Sequence, residues 1–185
     1  MNFMEDGISS LWNFINSQSL LNTLIHDRFI LMCLVLFLLR FKYATYKNIF
    51  LTALINIPGT ILHELAHFLI GFLLNAQPTS FSLFPKKSGN AYVTGSVSFR
   101  HIKFYNAFPS AMAPLLLLPI AYWFDKYYFA NVHTTVWNYL FYVLLQTVLI
   151  ENAIPSHTDF KVAFSSLSGT VFYTLLIIGI FAFFL

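Results

Sequence analysis

Charge is what this chain has least of: only 9% of its 185 residues are Asp, Glu, Lys or Arg. A water-facing domain carries roughly a quarter, so the composition excludes an ordinary soluble globule. With 58% hydrophobic residues, 19% aromatic residues and a mean hydropathy of +0.70, the surface is suited to lipid. Cysteine is nearly missing as well. Cys33 stands alone inside an apolar run, which excludes a disulfide framework and a Cys-based metal site. The net charge of +3 is small and scattered, so no nucleic-acid partner is expected. Internal repeats, low-complexity tracts and linkers are absent, and residues 1–185 read as one polytopic membrane domain. The N-terminal stretch carries Glu5 and Asp6, with no basic leader and no small-residue cleavage site. The first hydrophobic run therefore reads as a retained span rather than a signal peptide.

What is present is a series of apolar runs. Residues 8–25 place Leu11, Ile15, Leu20, Leu21, Leu24 and Ile25 at near-helical spacing, which predicts an interfacial helix. Spans are expected at about 29–44, 49–74, 107–124, 134–154 and 167–185. Pro58-Gly59 inside the second predicts a kink or local unwinding, and Pro109, Pro114 and Pro119 break up the third. Between these two spans, over residues 75–103, the period shortens to two. Thr79–Phe84 and Ala91–Phe99 alternate around the turn-rich Pro85–Asn90, which predicts a β-hairpin insertion. The expected fold is an all-α integral membrane protein of about five transmembrane helices with this small insertion. A multi-pass protein of the cell (cytoplasmic) membrane is the expected localisation. Counting alternate crossings puts Arg28, Lys86, Lys87, Arg100, Lys103 and Lys161 on the hairpin's side. Arg40, Lys42, Lys47 and Lys126 fall opposite, a slight bias toward a cytoplasmic hairpin.

Chemistry is concentrated in His63-Glu64-Leu65-Ala66-His67. Histidines four apart share one helix face, so both imidazoles can reach a single zinc ion. Glu64, beside the first, is placed to act as general base toward a water at that ion. With six His and three Glu in the chain, chance yields about three such patterns per thousand sequences of this composition. Two histidines and a glutamate inside a membrane span are costly unless they act. A catalytic zinc needs a third protein ligand and an open position. His26, His101, His133, His157, Glu151 and Asp159 are the candidates, and span counting returns the 151–159 segment to the motif's side.

That segment, Glu151-Asn152-Ala153-Ile154-Pro155-Ser156-His157-Thr158-Asp159, resembles the second motif of the site-2 protease family of intramembrane zinc metalloproteases. In that family an HExxH helix is followed by an Asn-x-x-Pro stretch leading to an Asp-Gly. The resemblance implies a zinc-dependent endopeptidase acting in or near a substrate's transmembrane helix. It implies His63, His67 and Asp159 as metal ligands, Glu64 as the base, and Asn152 as a catalytic group orienting the substrate carbonyl. Phe160 stands where the family has glycine and the Asn-to-Asp step is one residue shorter, so His157 is the rival third ligand. The family also has β structure after its HExxH helix. An unwound substrate can add to such an edge as a strand, which makes Phe81, Ser82, Leu83 and Phe84 candidate substrate-binding residues. The expected partners are the bilayer and a membrane-protein or membrane-bound peptide substrate. The alternatives are a zinc hydrolase acting on a lipidated peptide or lipid amide, with Glu151 as ligand, and a membrane adaptor with a structural metal.

Overall fold

The computed structural model describes residues 2–44, 49–83, 86–88, 91–93 and 95–184. It is mostly helical, with a small β element between the fourth and fifth helices. The order is α1 (Asn2–Ile15), α2 (Gln18–His26), α3 (Arg28–Ala44), α4 (Ile49–Leu73), β1 (Pro78–Ser82), β2 (Lys86–Ser88), β3 (Ala91–Val93), β4 (Ser96–Phe99), α5 (Phe104–Ala111), a 3-10 turn (Ala113–Leu116), α6 (Leu117–Asn131), α7 (Val136–Asn152), α8 (His157–Ala163) and α9 (Leu167–Phe184).

The apolar runs became helices close to where the pattern put them, and local polar groups set their ends. The expected interfacial helix over 8–25 is two helices instead. Ser17 interrupts it by accepting from the Leu20 N–H, which caps α2. Asp27 starts α3 by accepting from the amides of Phe29 and Ile30 at 2.9 and 3.2 Å. Thr135 caps α7 through the Asn138 N–H. Pro58 lies inside an uninterrupted α4, so the local unwinding expected there does not occur. Its missing amide leaves one carbonyl of the preceding turn free without ending the helix. The proline-rich third run does break: α5 and α6 meet at 52° across the 3-10 turn. α8 and α9 meet at 95°.

The segment from Leu51 to Leu73 is the one helix, among the described residues, long and apolar enough to cross a membrane alone. Counting each bent pair as one span raises the number to three. α3 and α7 have 17 residues each.

The insertion is more elaborate than a simple hairpin. β1 pairs antiparallel with β4, with Phe81 opposite Val97 and Ser82 opposite Ser96. β2 pairs with β3 further out, Lys86 opposite Val93. The two ladders nest as one long excursion between α4 and α5. Its root is fixed by Asn106, fully buried, whose side chain accepts from the Lys103 amide and donates to the carbonyls of His101 and Leu74. Asn75 turns the chain out of α4 with φ of 56°, a conformation asparagine tolerates well.

The interior is thin and built of small or aromatic residues. One cluster joins Val35 of α3 to Tyr139, Tyr142 and Val143 of α7. Another packs Leu117 and Ala121 of α6 on Leu149 and Ala153 of α7, with Leu62 of α4 alongside. Alanine at such crossings lets helix backbones approach closely. Many large apolar side chains instead face outward, Phe37 and Phe72 at 66% exposure among them.

Three contacts set the direction of α3. The Tyr139 hydroxyl donates to the Leu24 carbonyl, Arg28 pairs with Asp125, and Lys42 pairs with Glu151 at 2.5 Å. α3 and α7 therefore run side by side in the same direction. Counting alternate crossings makes them antiparallel, so that sidedness is corrected: Arg28 belongs with Lys126, and Lys42 with Glu151. Hydropathy reports where a run lies in the sequence and carries no information about its direction.

Candidate metal centre

His63 and His67 are one turn apart on α4, so their rings lie on one face. Their Nε2 atoms are 3.1 Å apart. What aims them is the backbone of two other elements. His63 Nδ1 is 2.8 Å from the carbonyl of Asn152, at the end of α7, and His67 Nδ1 is 2.8 Å from the carbonyl of Ser110, in α5. A carbonyl only accepts, so each Nδ1 carries a proton, and in the neutral ring each Nε2 then presents a lone pair. Outer contacts of this kind orient metal-binding histidines.

The third group comes from α8. Pro155 follows the last turn of α7 and stops it, and Ser156 opens α8 with a capping box. Its hydroxyl accepts from the Asp159 amide at 3.2 Å, and its own amide donates to Asp159 Oδ2 at 2.6 Å. The box fixes the first turn of α8 and, with it, the direction of the Asp159 carboxylate. Oδ1 then lies 3.3 Å from His67 Nε2, and Oδ2 lies 3.5 Å from His63 Nε2. α8 is held across α5, which α9 grips through the stacked rings of Phe108 and Tyr173 and a hydrogen bond from the Tyr173 hydroxyl to the Tyr105 carbonyl.

Among the described residues, His63, His67 and Asp159 form the group able to hold a metal ion. The two Nε2 atoms are 3.1 Å apart and each meets a different Asp159 oxygen, so one donor atom from each residue makes a triangle whose corners all lie within 4.8 Å of one another. The corners of a regular tetrahedron with zinc-like arms stand about 3.3 Å apart. With Asp159 Oδ1 as the donor, two sides of the triangle match a tetrahedral face, and the group leaves the fourth corner without a further ligand. Two imidazole nitrogens and one carboxylate oxygen also suit zinc chemically. The donor set fits the metal.

Glu64 is buried at 7% exposure beside this triangle, and among the described residues it makes no hydrogen bond or ion pair. Its close neighbours are Thr60, one turn earlier, and Gly95, in the loop that enters β4. A Cβ added to Gly95 would stand 2.6 Å from Glu64 Oε1 and 2.6 Å from Thr60 Cγ2, so only glycine lets the insertion lie this close. Gly59 plays a similar part toward α7, since a Cβ there would overlap the Asn152 side chain at 2.0 Å.

The expected site residues separate into three groups. His63, Glu64, His67 and Asp159 come together. Asn152 is adjacent, touching the site through its carbonyl, while its side-chain amide donates to the Val148 carbonyl and packs on Gly59. Phe81, Ser82 and Leu83 lie on or just after β1, with the Phe81 ring edge-on to Phe68 of α4, and Phe84 lies outside the described residues. Of the rival ligands, His157 is exposed at the start of α8 and Glu151 is committed to Lys42. Sequence reasoning missed Ser110, Gly59 and Gly95. The two glycines were legible as Pro-Gly in a helix and a glycine before a strand; the Ser110 carbonyl left no signal, because any residue supplies one.

No family model, curated protein or solved structure matches this chain.

Proposed function

We propose that this chain is a zinc-dependent intramembrane endopeptidase, hydrolysing a peptide bond in or near a transmembrane helix of its substrate. One observation carries the reading. Two imidazole lone pairs and a carboxylate converge within 3.5 Å of one another beside an uncommitted glutamate. Such an arrangement gathers three potential metal ligands, and it leaves one side open for chemistry. A structural zinc is closed by four protein ligands, and this group supplies three.

His63, His67 and Asp159 would hold the metal, with the Asn152 and Ser110 carbonyls keeping both imidazoles in the binding tautomer. Bound there, zinc supplies Lewis acidity toward a carbonyl oxygen and toward water. Glu64 takes a proton from the attacking water and returns it to the departing amine nitrogen. Burial among Thr60, Gly95 and the flanking helices keeps the carboxylate close to the reacting atoms. Asn152 is the candidate for orienting the scissile carbonyl through the amide hydrogen its Val148 bond leaves over. A helical substrate hides its amides in its own hydrogen bonds and must unwind to be cut. The β1–β4 ladder, which ends beside Glu64 at Gly95, offers strand edges to hold the unwound segment.

The membrane setting rests on the outward-facing apolar surface, the α4 span and the two bent pairs. In this reading α4 and the two bent pairs make a multi-pass protein of the cell membrane. The test is zinc content and cleavage of candidate membrane substrates by the purified chain and by Glu64→Gln. Zinc retained with cleavage lost supports the reading. A chain that binds no zinc, or a Glu64→Gln variant that cleaves normally, overturns it.

A further inference from the structure

Far from the histidines, where the start of α3 meets the end of α6, the helices leave a crevice of about 530 Å³. Its walls include the apolar face of Phe129, the polar groups of Asn22, His26 and Thr134, and the charged Arg28 and Lys126. Asp125 is the carboxylate in the lining, and its charge is already used. It accepts from Arg28 and from the Tyr142 hydroxyl. Asp27, next to the crevice in sequence, caps α3 with its carboxylate and does not line it. Lys126 makes no ion pair among the described residues; its ammonium lies 5.6 Å from the Tyr127 ring centre. The crevice therefore presents one uncompensated cation, backed by a guanidinium with further N–H groups to give and by neutral donors.

A second observation shows what reaches this place. Tyr122, Trp123 and Tyr127 on α6 and Trp137 at the start of α7 all face outward, between 46% and 67% exposed. Tyrosine and tryptophan gather at the depth of lipid headgroups, where one end of the ring is wet and the other dry. Tyr122 lines the crevice and the Tyr127 ring lies beside Lys126, so in a membrane this end of the assembly suits headgroup depth.

We propose that the crevice between α3 and α6 binds the phosphate of an anionic phospholipid. Lys126 is the principal charge, Arg28 and Thr134 are additional donors, and the acyl chains run along the outward apolar faces of the helices. Basic pockets between membrane helices hold such headgroups. The inference needs the membrane setting and is independent of the metal centre, so loss of zinc chemistry would leave it standing.

The experiment uses the whole chain in phosphatidylcholine nanodiscs with and without phosphatidylglycerol. Lipid retention is read by native mass spectrometry and stability by melting temperature. Wild type is expected to retain phosphatidylglycerol preferentially and to melt higher in its presence. Lys126→Gln should weaken that preference about fivefold, the effect of one basic residue near a charged surface, while Lys126→Arg keeps it. Arg100→Gln, an exposed cation at the root of the insertion, should leave it unchanged. Equal retention of the two lipids overturns the proposal, as does a Lys126→Gln variant that behaves as wild type. Equal weakening by Arg100→Gln also overturns it, because diffuse charge would then suffice. Inorganic phosphate that displaces the lipid and alone reproduces the rise in melting temperature would reassign the crevice to a free anion.

Discussion

Asp125 and Asp159 each face two side chains in the half-buried interior of the helix assembly, and they meet them with opposite chemistry. Asp125 receives hydrogens from the Arg28 guanidinium and the Tyr142 hydroxyl, both on Oδ1, so its charge is met by the protein alone. Asp159 faces two imidazole nitrogens whose protons are engaged on the far side of each ring, by the carbonyls of Asn152 and Ser110. One cluster is complete as folded and locks α3, α6 and α7 together. The other is a group able to hold a metal ion. A buried carboxylate is therefore informative through what its partners offer: donors make a structural lock, and acceptors make a binding site.

The comparison breaks most visibly at Glu64, the carboxylate beside the second cluster. Glu64→Gln should lower cleavage about a thousandfold, the usual scale for a positioned proton acceptor, with zinc content unchanged by metal analysis. Gly95→Ala pushes a methyl group against that carboxylate. A displacement of about 1 Å near reacting groups costs roughly a hundredfold in rate, so turnover should fall by that order while zinc stays bound. The sharpest contrast pairs the two aspartates. Asp159→Asn should weaken zinc binding by at least about a hundredfold, since even outer-sphere changes reach that size. Asp125→Asn should leave zinc binding as it is and destabilise the fold by about 2 kcal/mol, the scale of a hydrogen bond to a charged group, read as a lower melting temperature. The last contrast is linkage. Zinc at one hundred times its dissociation constant should stabilise wild type and Asp125→Asn by about 2.7 kcal/mol. Chelation should remove that gain, and Asp159→Asn should not show it. Equal responses from the two aspartate variants would dissolve the distinction.

Much of this was legible along the chain. The helical runs at 29–44, 49–74, 134–154 and 167–185 correspond to α3, α4, α7 and α9 within a few residues, because long apolar runs bounded by polar caps leave little choice. The insertion was readable from its alternation, though its division into two ladders was not. The break at Ser17 was missed because the apolar spacing continues through it while a single hydroxyl caps a new helix. The pairing of Lys42 with Glu151, and of Arg28 with Asp125, lay beyond sequence reasoning because it depends on which helices become neighbours and in which direction they run.

Determined by sequence alone are the apolar character of the chain and the shared face of His63 and His67. Both follow from composition and a 3.6-residue period, which are local properties. Tertiary structure alone decided that Asp159, rather than His157 or Glu151, meets that face. It also decided that Gly95 brings the insertion against Glu64. The bend between α8 and α9, the capping box at Ser156 and the grip of α9 on α5 aim that carboxylate, and such long-range packing leaves no periodic trace in a chain.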